Sequence, residues 1–99
     1  MTELSDAELE QIGRNAAEEE AGSGAVLRVQ VEYGLGSIGE PAYFFSFVID
    51  RDLALPHPPG MLYLEIDGKI RDALIARGDE TYPFMKIITP AEWNNRAHA

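Results

Sequence analysis

The chain contains no cysteine. That excludes disulfides, thiolate metal centres and cysteine nucleophiles, and it fits a reducing compartment. Histidine is scarce as well, with His57 and His98 the only two. Cations are few: eight Lys and Arg face seventeen Asp and Glu, for a net charge of −9. Such a chain is repelled by nucleic-acid phosphate and by anionic lipid, so neither nucleic acid nor membrane is an expected partner. Long apolar runs are also missing. The longest, AYFFSFVI, has eight residues and includes Ser46, whereas a membrane-spanning helix needs about 20. The opening residues MTELSDAELE are acidic where a secretory signal is basic and then apolar. These features together predict a soluble, cytoplasmic protein.

The same scarcity limits chemistry. His57 sits in a loop between prolines, with Asp50 or Asp52 as its nearest orienting carboxylates and no serine placed by any motif. Asp50-x-Asp52 opens like a calcium loop, but Leu53, Ala54 and Leu55 supply neither ligand oxygens nor a glycine turn. Asp67, Asp72 and Asp79 show no ligand spacing. No catalytic residue, metal ligand or cofactor is assigned, and the expected class is non-enzymatic.

What is present suffices for one domain over residues 1–99, ordered from about residue 5 to 93 with a frayed tail. Apolar residues make up 45% of the chain, ordinary for a packed core. The acidity is uneven. Residues 1–22 carry seven of the carboxylates against Arg14 alone. An acidic helix of this kind keeps a protein soluble, and it is also a surface for a basic protein partner.

Six elements can be read in order. Ser5 and Glu8 form a capping box flanked by Leu4 and Leu9, which starts a helix over about 6–20. Its apolar stripe of Leu9, Ile12 and Ala16 is narrow and contains Gly13, so the helix is expected to be weakly held. Residues 25–33 alternate as a half-buried strand, with Leu27, Val29, Val31 and Tyr33 on one side and Arg28, Gln30 and Glu32 on the other. Residues 42–50 form a strand that is apolar on both faces, the pattern of a strand covered on both sides. A stiff connector, RDLALPHPPG, follows; its Pro56 and Pro59 match PxxP, a common pattern that a rigid loop explains. Residues 61–77 set a helical stripe of Leu62, Ile66, Ile70, Ala73 and Leu74 against a hairpin signal at Asp67-Gly68; the length of the run favours helix. Residues 81–89 form a third strand with Pro83 near its start. Thr89, Pro90 and Glu92 then open a short helix carrying Trp93. The fold class is α+β: a small antiparallel or mixed three-stranded sheet, helices mainly on one face, in the order α-β-β-α-β-α.

Gly34-Leu35-Gly36-Ser37-Ile38-Gly39 has the spacing of the dinucleotide-binding fingerprint. That motif must open a helix, whose N-terminus holds the pyrophosphate. Here Glu40, Pro41 and an aromatic strand follow, so the glycines are expected to join two antiparallel strands. Arg77-Gly78-Asp79 likewise reads as a helix end and turn rather than an integrin-type signal.

One feature does point outward. With Phe45 and Phe47 under the helices, Phe44 and Val48 lie beside Arg28 and Gln30 on the other face, and Met85 and Ile87 are expected to join them from the third strand. Two or three helices hardly cover both faces of such a sheet, unless the connector or terminal helix folds over the patch. An apolar patch with a polar rim is the pattern of a protein contact. The sequence therefore predicts a protein-interaction module, binding a protein partner or itself through that face. The alternatives are a small-ligand binder or minor enzyme built on the glycine-rich loop 34–40, using Tyr33, Glu40 and Tyr43, and a nucleic-acid-mimicking inhibitor built on the acidic helix.

Overall fold

The computed structural model describes residues 4–97. Three helices and three strands follow in the expected order: α1 (Asp6–Ala21), β1 (Val26–Leu35), β2 (Pro41–Ile49), α2 (Met61–Ala76), β3 (Tyr82–Ile88) and α3 (Pro90–Ala97). The strands form one mixed sheet in the order β1-β2-β3. β1 runs antiparallel to β2 and β3 runs parallel to it. A parallel neighbour needs a crossover, and α2 supplies it. β2 is therefore the central strand, which explains why both of its faces are apolar.

Local signals set the starts of α1 and α3. The Glu8 N–H donates to Ser5 Oγ at 3.2 Å, and the Ser5 N–H donates to Glu8 Oε1 at 3.1 Å. Thr89 and Glu92 make the same reciprocal box at α3. α2 ends in a Schellman motif: Gly78, at φ 76°, donates to the Ile75 carbonyl, and the Asp79 N–H donates to that of Leu74. The Arg77-Gly78-Asp79 tripeptide is thus a helix terminus. α3 continues as helix beyond Trp93 to Ala97, over residues expected to fray; His98 and Ala99 lie outside the described residues.

α1 and α2 cover one face of the sheet. Leu9, Ile12, Ala16 and Ala17 from α1 and Leu62, Ile66, Ile70 and Leu74 from α2 close over Val29, Tyr43, Phe45, Phe47, Ile49 and Met85. The Phe45 and Phe47 rings stack with centroids 6.1 Å apart at 8°. α1 crosses directly above them. A Cβ at Gly13 would stand 3.0 Å from Phe45 Cδ2 and 3.3 Å from Phe47 Cε1, so the glycine inside the helix is what permits the close approach. The narrow stripe is broadened by Ala17 and Ala21, both fully buried.

β1 departs from simple alternation. Val26 pairs with Ile49 and Arg28 with Val48, which leaves Leu27 as an extra residue in a bulge. Val26 is buried in the core and Leu27 is 53% exposed. The expectation that Leu27 joins Val29 and Val31 under the helices is corrected by that one inserted residue.

Candidate functional site

The face of the sheet opposite α1 and α2 carries Arg28, Gln30 and Glu32 from β1, Phe44, Ser46 and Val48 from β2, and Tyr82, Phe84, Lys86 and Ile88 from β3, as the pairing registers require. α3 packs against β2. The Arg28 guanidinium lies over the Trp93 ring, 4.8 Å from its centroid, and Val48 and Ile88 are buried at this end of the face. The other half of the face is open. There a trough of about 330 Å³ is lined by Gln30, Glu32, Phe44, Ser46, Phe84 and Lys86.

Aromatic rings build its floor. Phe44 and Phe84 stack with centroids 5.4 Å apart at 11°, and the other side of the Phe44 ring rests against Gly34, where a Cβ would stand 3.3 Å away. Phe84 meets Tyr82 at 4.6 Å. Arg71 of α2 reaches the Tyr82 ring at 4.4 Å and donates to its hydroxyl at 2.5 Å. Its Nε also donates to Asp67 at 2.9 Å, which fixes the guanidinium in place. The result is a row of three rings across two strands, ending at a cation. Phe84 is 37% exposed and Tyr82 43%.

Of the residues singled out from the sequence, the structure brings Arg28, Gln30, Phe44 and Val48 to this face. Val48 retains only 3% exposure. Met85 and Ile87 pair with Phe45 and Phe47 and pack with the core on the opposite face, although Met85 and Phe45 also border the trough. The expectation that they join Phe44 is corrected. The reason is register, because side chains of a parallel neighbour share a face with the residues they pair with, and Phe44 pairs with Phe84. Sequence reasoning missed Phe84, Tyr82 and Lys86. The signal was the alternation in YPFMKII, read in the wrong parity.

The glycine loop is closed by its own residues. Gly36 donates to the Glu40 carbonyl at 2.7 Å, and Gly39, at φ 84°, donates to that of Gly36 at 3.0 Å. The Glu40 carboxylate folds inward and accepts from the Ile38 N–H at 3.2 Å. A Cβ at Gly36 would overlap Glu40 Oε1 at 1.9 Å. The space and an amide that a phosphate would use are occupied by a carboxylate.

Much of the acidity of α1 is spent within the chain. Glu8 pairs with Arg77 at 3.2 Å, Glu18 with Arg14 at 3.3 Å and Glu19 with Lys69 at 3.0 Å. Glu20 accepts from His57 Nε2 at 3.1 Å and approaches Lys69 at 3.5 Å. His57 therefore pairs with Glu20, not with Asp50 or Asp52. Asp50 instead accepts the Asp52 N–H in a local turn. His57 Nδ1 lies 2.9 Å from the Leu55 carbonyl, so both ring nitrogens face acceptors. The Leu55 carbonyl, followed by Glu20, holds the imidazole pKa above its ordinary value. The hydrogen bond from His57 holds Glu20 below the usual carboxylate range.

Among the described residues no group of three or more His, Cys, Asp or Glu is placed to hold a metal ion, and no helix is long and apolar enough to cross a membrane. Comparison with protein-family models, with curated proteins and with solved structures finds no match to this chain.

Proposed function

We propose that the protein is a non-enzymatic protein-interaction module that binds a protein partner through the open half of its sheet. The observation that carries this reading is the Tyr82–Phe84–Phe44 row, three aromatic rings on the face opposite α1 and α2, which α2 reaches only through Arg71 at the Tyr82 end. Aromatic side chains supply large contact area at little conformational cost and are enriched where proteins meet. The rim is polar and of mixed charge, with Glu32 and Gln30 on one side and Lys86 on the other. A partner presenting an apolar anchor with a basic neighbour matches it. The internal pairing of Glu8, Glu18, Glu19 and Glu20 argues against nucleic-acid mimicry, which needs a stripe of unpaired carboxylates. The inward Glu40 argues against a ligand site in the glycine loop.

The reading is tested by cross-linking and quantitative pull-down with the whole chain. Phe84→Asp is expected to lose a partner that both the unaltered chain and Ile75→Asp retain, Ile75 being an exposed apolar residue of α2. If every captured protein is retained equally by Phe84→Asp, the surface is not the contact.

A further inference from the structure

The sheet has two edges, and the chain treats them differently. At β3, Pro83 offers no N–H, Lys86 projects a charge, and Tyr63 reaches over from α2 to donate its hydroxyl to the Met85 carbonyl at 3.3 Å. Such features discourage a further strand. β1 is ten residues long and contains neither proline nor lysine. Among the described residues it pairs with β2 alone, so no strand takes the hydrogen-bonding groups of its outer side. An open trough of about 540 Å³ runs along this edge, lined by Leu27 to Glu32 and by Glu10 and Arg14 of α1.

The residues along that edge have a self-complementary pattern. Leu27-Arg28-Val29-Gln30-Val31-Glu32-Tyr33 reads outward from Gln30 as valine on each side, then opposite charges, then exposed apolar groups. Leu27 and Tyr33 are 53% and 65% exposed. When two copies of such a strand run antiparallel with Gln30 on the two-fold axis, each Arg28 stands opposite the other copy's Glu32. Val29 meets Val31, and the bulge at Leu27 ends the regular register at Arg28. Arg28 and Glu32 lie on the same face, since their partners in β2 are Val48 and Phe44. Moving the axis by one residue loses both ion pairs. Moving it by two sets Arg28 against Arg28, or Glu32 against Glu32. Opposite charges directly across a strand pair stabilise it, and like charges there destabilise it.

We propose that the protein forms a two-fold homodimer by antiparallel pairing of β1 with β1 of a second copy, Gln30 on the axis, to give a continuous six-stranded sheet. An isologous contact of this kind closes on itself and uses up the unguarded edge. Gln30 and Glu32 also line the far-face trough, so the dimer sets two aromatic surfaces side by side across the axis. The dimer does not depend on what those surfaces bind.

Sedimentation equilibrium over a concentration series tests this on the whole chain. The unaltered protein is expected to pass from monomer to dimer and to shift toward monomer at high salt, as exposed ion pairs are screened. Glu32→Arg replaces two attractive contacts per dimer with two repulsive ones and should weaken association by roughly tenfold or more. Arg28→Glu should do the same, and the double variant Arg28→Glu/Glu32→Arg should recover the dimer. Arg28→Glu also removes the contact with Trp93, so Glu32→Arg carries the test by itself, with its fold checked by circular dichroism; Glu32 has no ion-pair partner among the described residues. Phe84→Asp should leave the dimer intact while losing the captured partner, which separates the two proposals. A monomer at every concentration overturns the dimer, as does a folded double variant that stays monomeric. A dimer that Phe84→Asp dissolves and Glu32→Arg leaves untouched overturns the edge pairing and assigns self-association to the face.

Discussion

The Tyr43 hydroxyl donates a hydrogen bond to the Asp79 carboxylate, tying the start of β2 to the residue that completes the end of α2. Asp79 also accepts the Thr81 N–H at 2.9 Å, so one carboxylate joins the helix terminus, the turn and the central strand. Burial pushes the Tyr43 phenol up to about 12, and Asp79 adds to it. Burial acts upward on Asp79 too, but the hydrogen bonds from Thr81 and Tyr43 outweigh it and the net shift is downward.

Tyr43→Phe leaves that carboxylate short of a donor and is expected to cost about 1–2 kcal/mol at neutral pH. Because the Asp79 pKa is lowered on folding, its contribution is present above the unfolded value of about 3.9 and is lost as pH falls through the folded one. The phenol shift has the opposite sign. Its contribution is present below about pH 10 and is lost as pH rises toward about 12. Urea unfolding as a function of pH should show the gap between the parent and Tyr43→Phe closing at both extremes. Ultraviolet titration of the parent should show a phenol ionising near pH 12 that Tyr43→Phe lacks.

His57 clasps the proline connector to α1 through Glu20, which Lys69 of α2 also approaches. The imidazole donates to both the Leu55 carbonyl and Glu20 only when doubly protonated. Its pKa is raised on folding, so the clasp is at full strength below about pH 6.5 and is lost as pH rises through the folded value. Proton NMR titration of the His57 ring should give a pKa above the ordinary value. Glu20→Gln should bring it back toward that value without abolishing the fold. An unmoved titration in Glu20→Gln rules out this clasp.

Two glycines in helices respond to alanine with opposite signs. A Cβ at Gly68 meets nothing within 4 Å, so Gly68→Ala gains helix propensity and should stabilise by about 0.5–1 kcal/mol. A Cβ at Gly13 meets two rings, Phe45 and Phe47, that are almost wholly buried. Gly13→Ala should therefore destabilise by about 1–3 kcal/mol despite the better propensity. Thermal unfolding of the two variants beside the parent measures both, and a gain in Gly13→Ala contradicts the close approach of α1.

The elements themselves were legible in the residues because their signals are local. The boxes Ser5/Glu8 and Thr89/Glu92 span three positions, the stripe of Leu62, Ile66, Ile70 and Leu74 repeats every fourth, and the two apolar faces of β2 announce a central strand. The candidate surface was legible only in part. Arg28, Gln30 and Phe44 lie on one face because alternation along a single strand and across a hairpin settles it. Met85 and Ile87 were misplaced, and Phe84 and Tyr82 overlooked, because parity across a crossover is set by the register β3 adopts against β2.

By itself, then, the order of residues determined the number, kind and sequence of the elements, since capping and periodicity act within a few positions of the chain. Only the tertiary structure decided which residues share a face, why Leu27 stands out of the core, and why Gly13 belongs inside a helix. Those depend on a bulge, a strand register and a helix passing over two rings, contacts between groups that are distant along the chain.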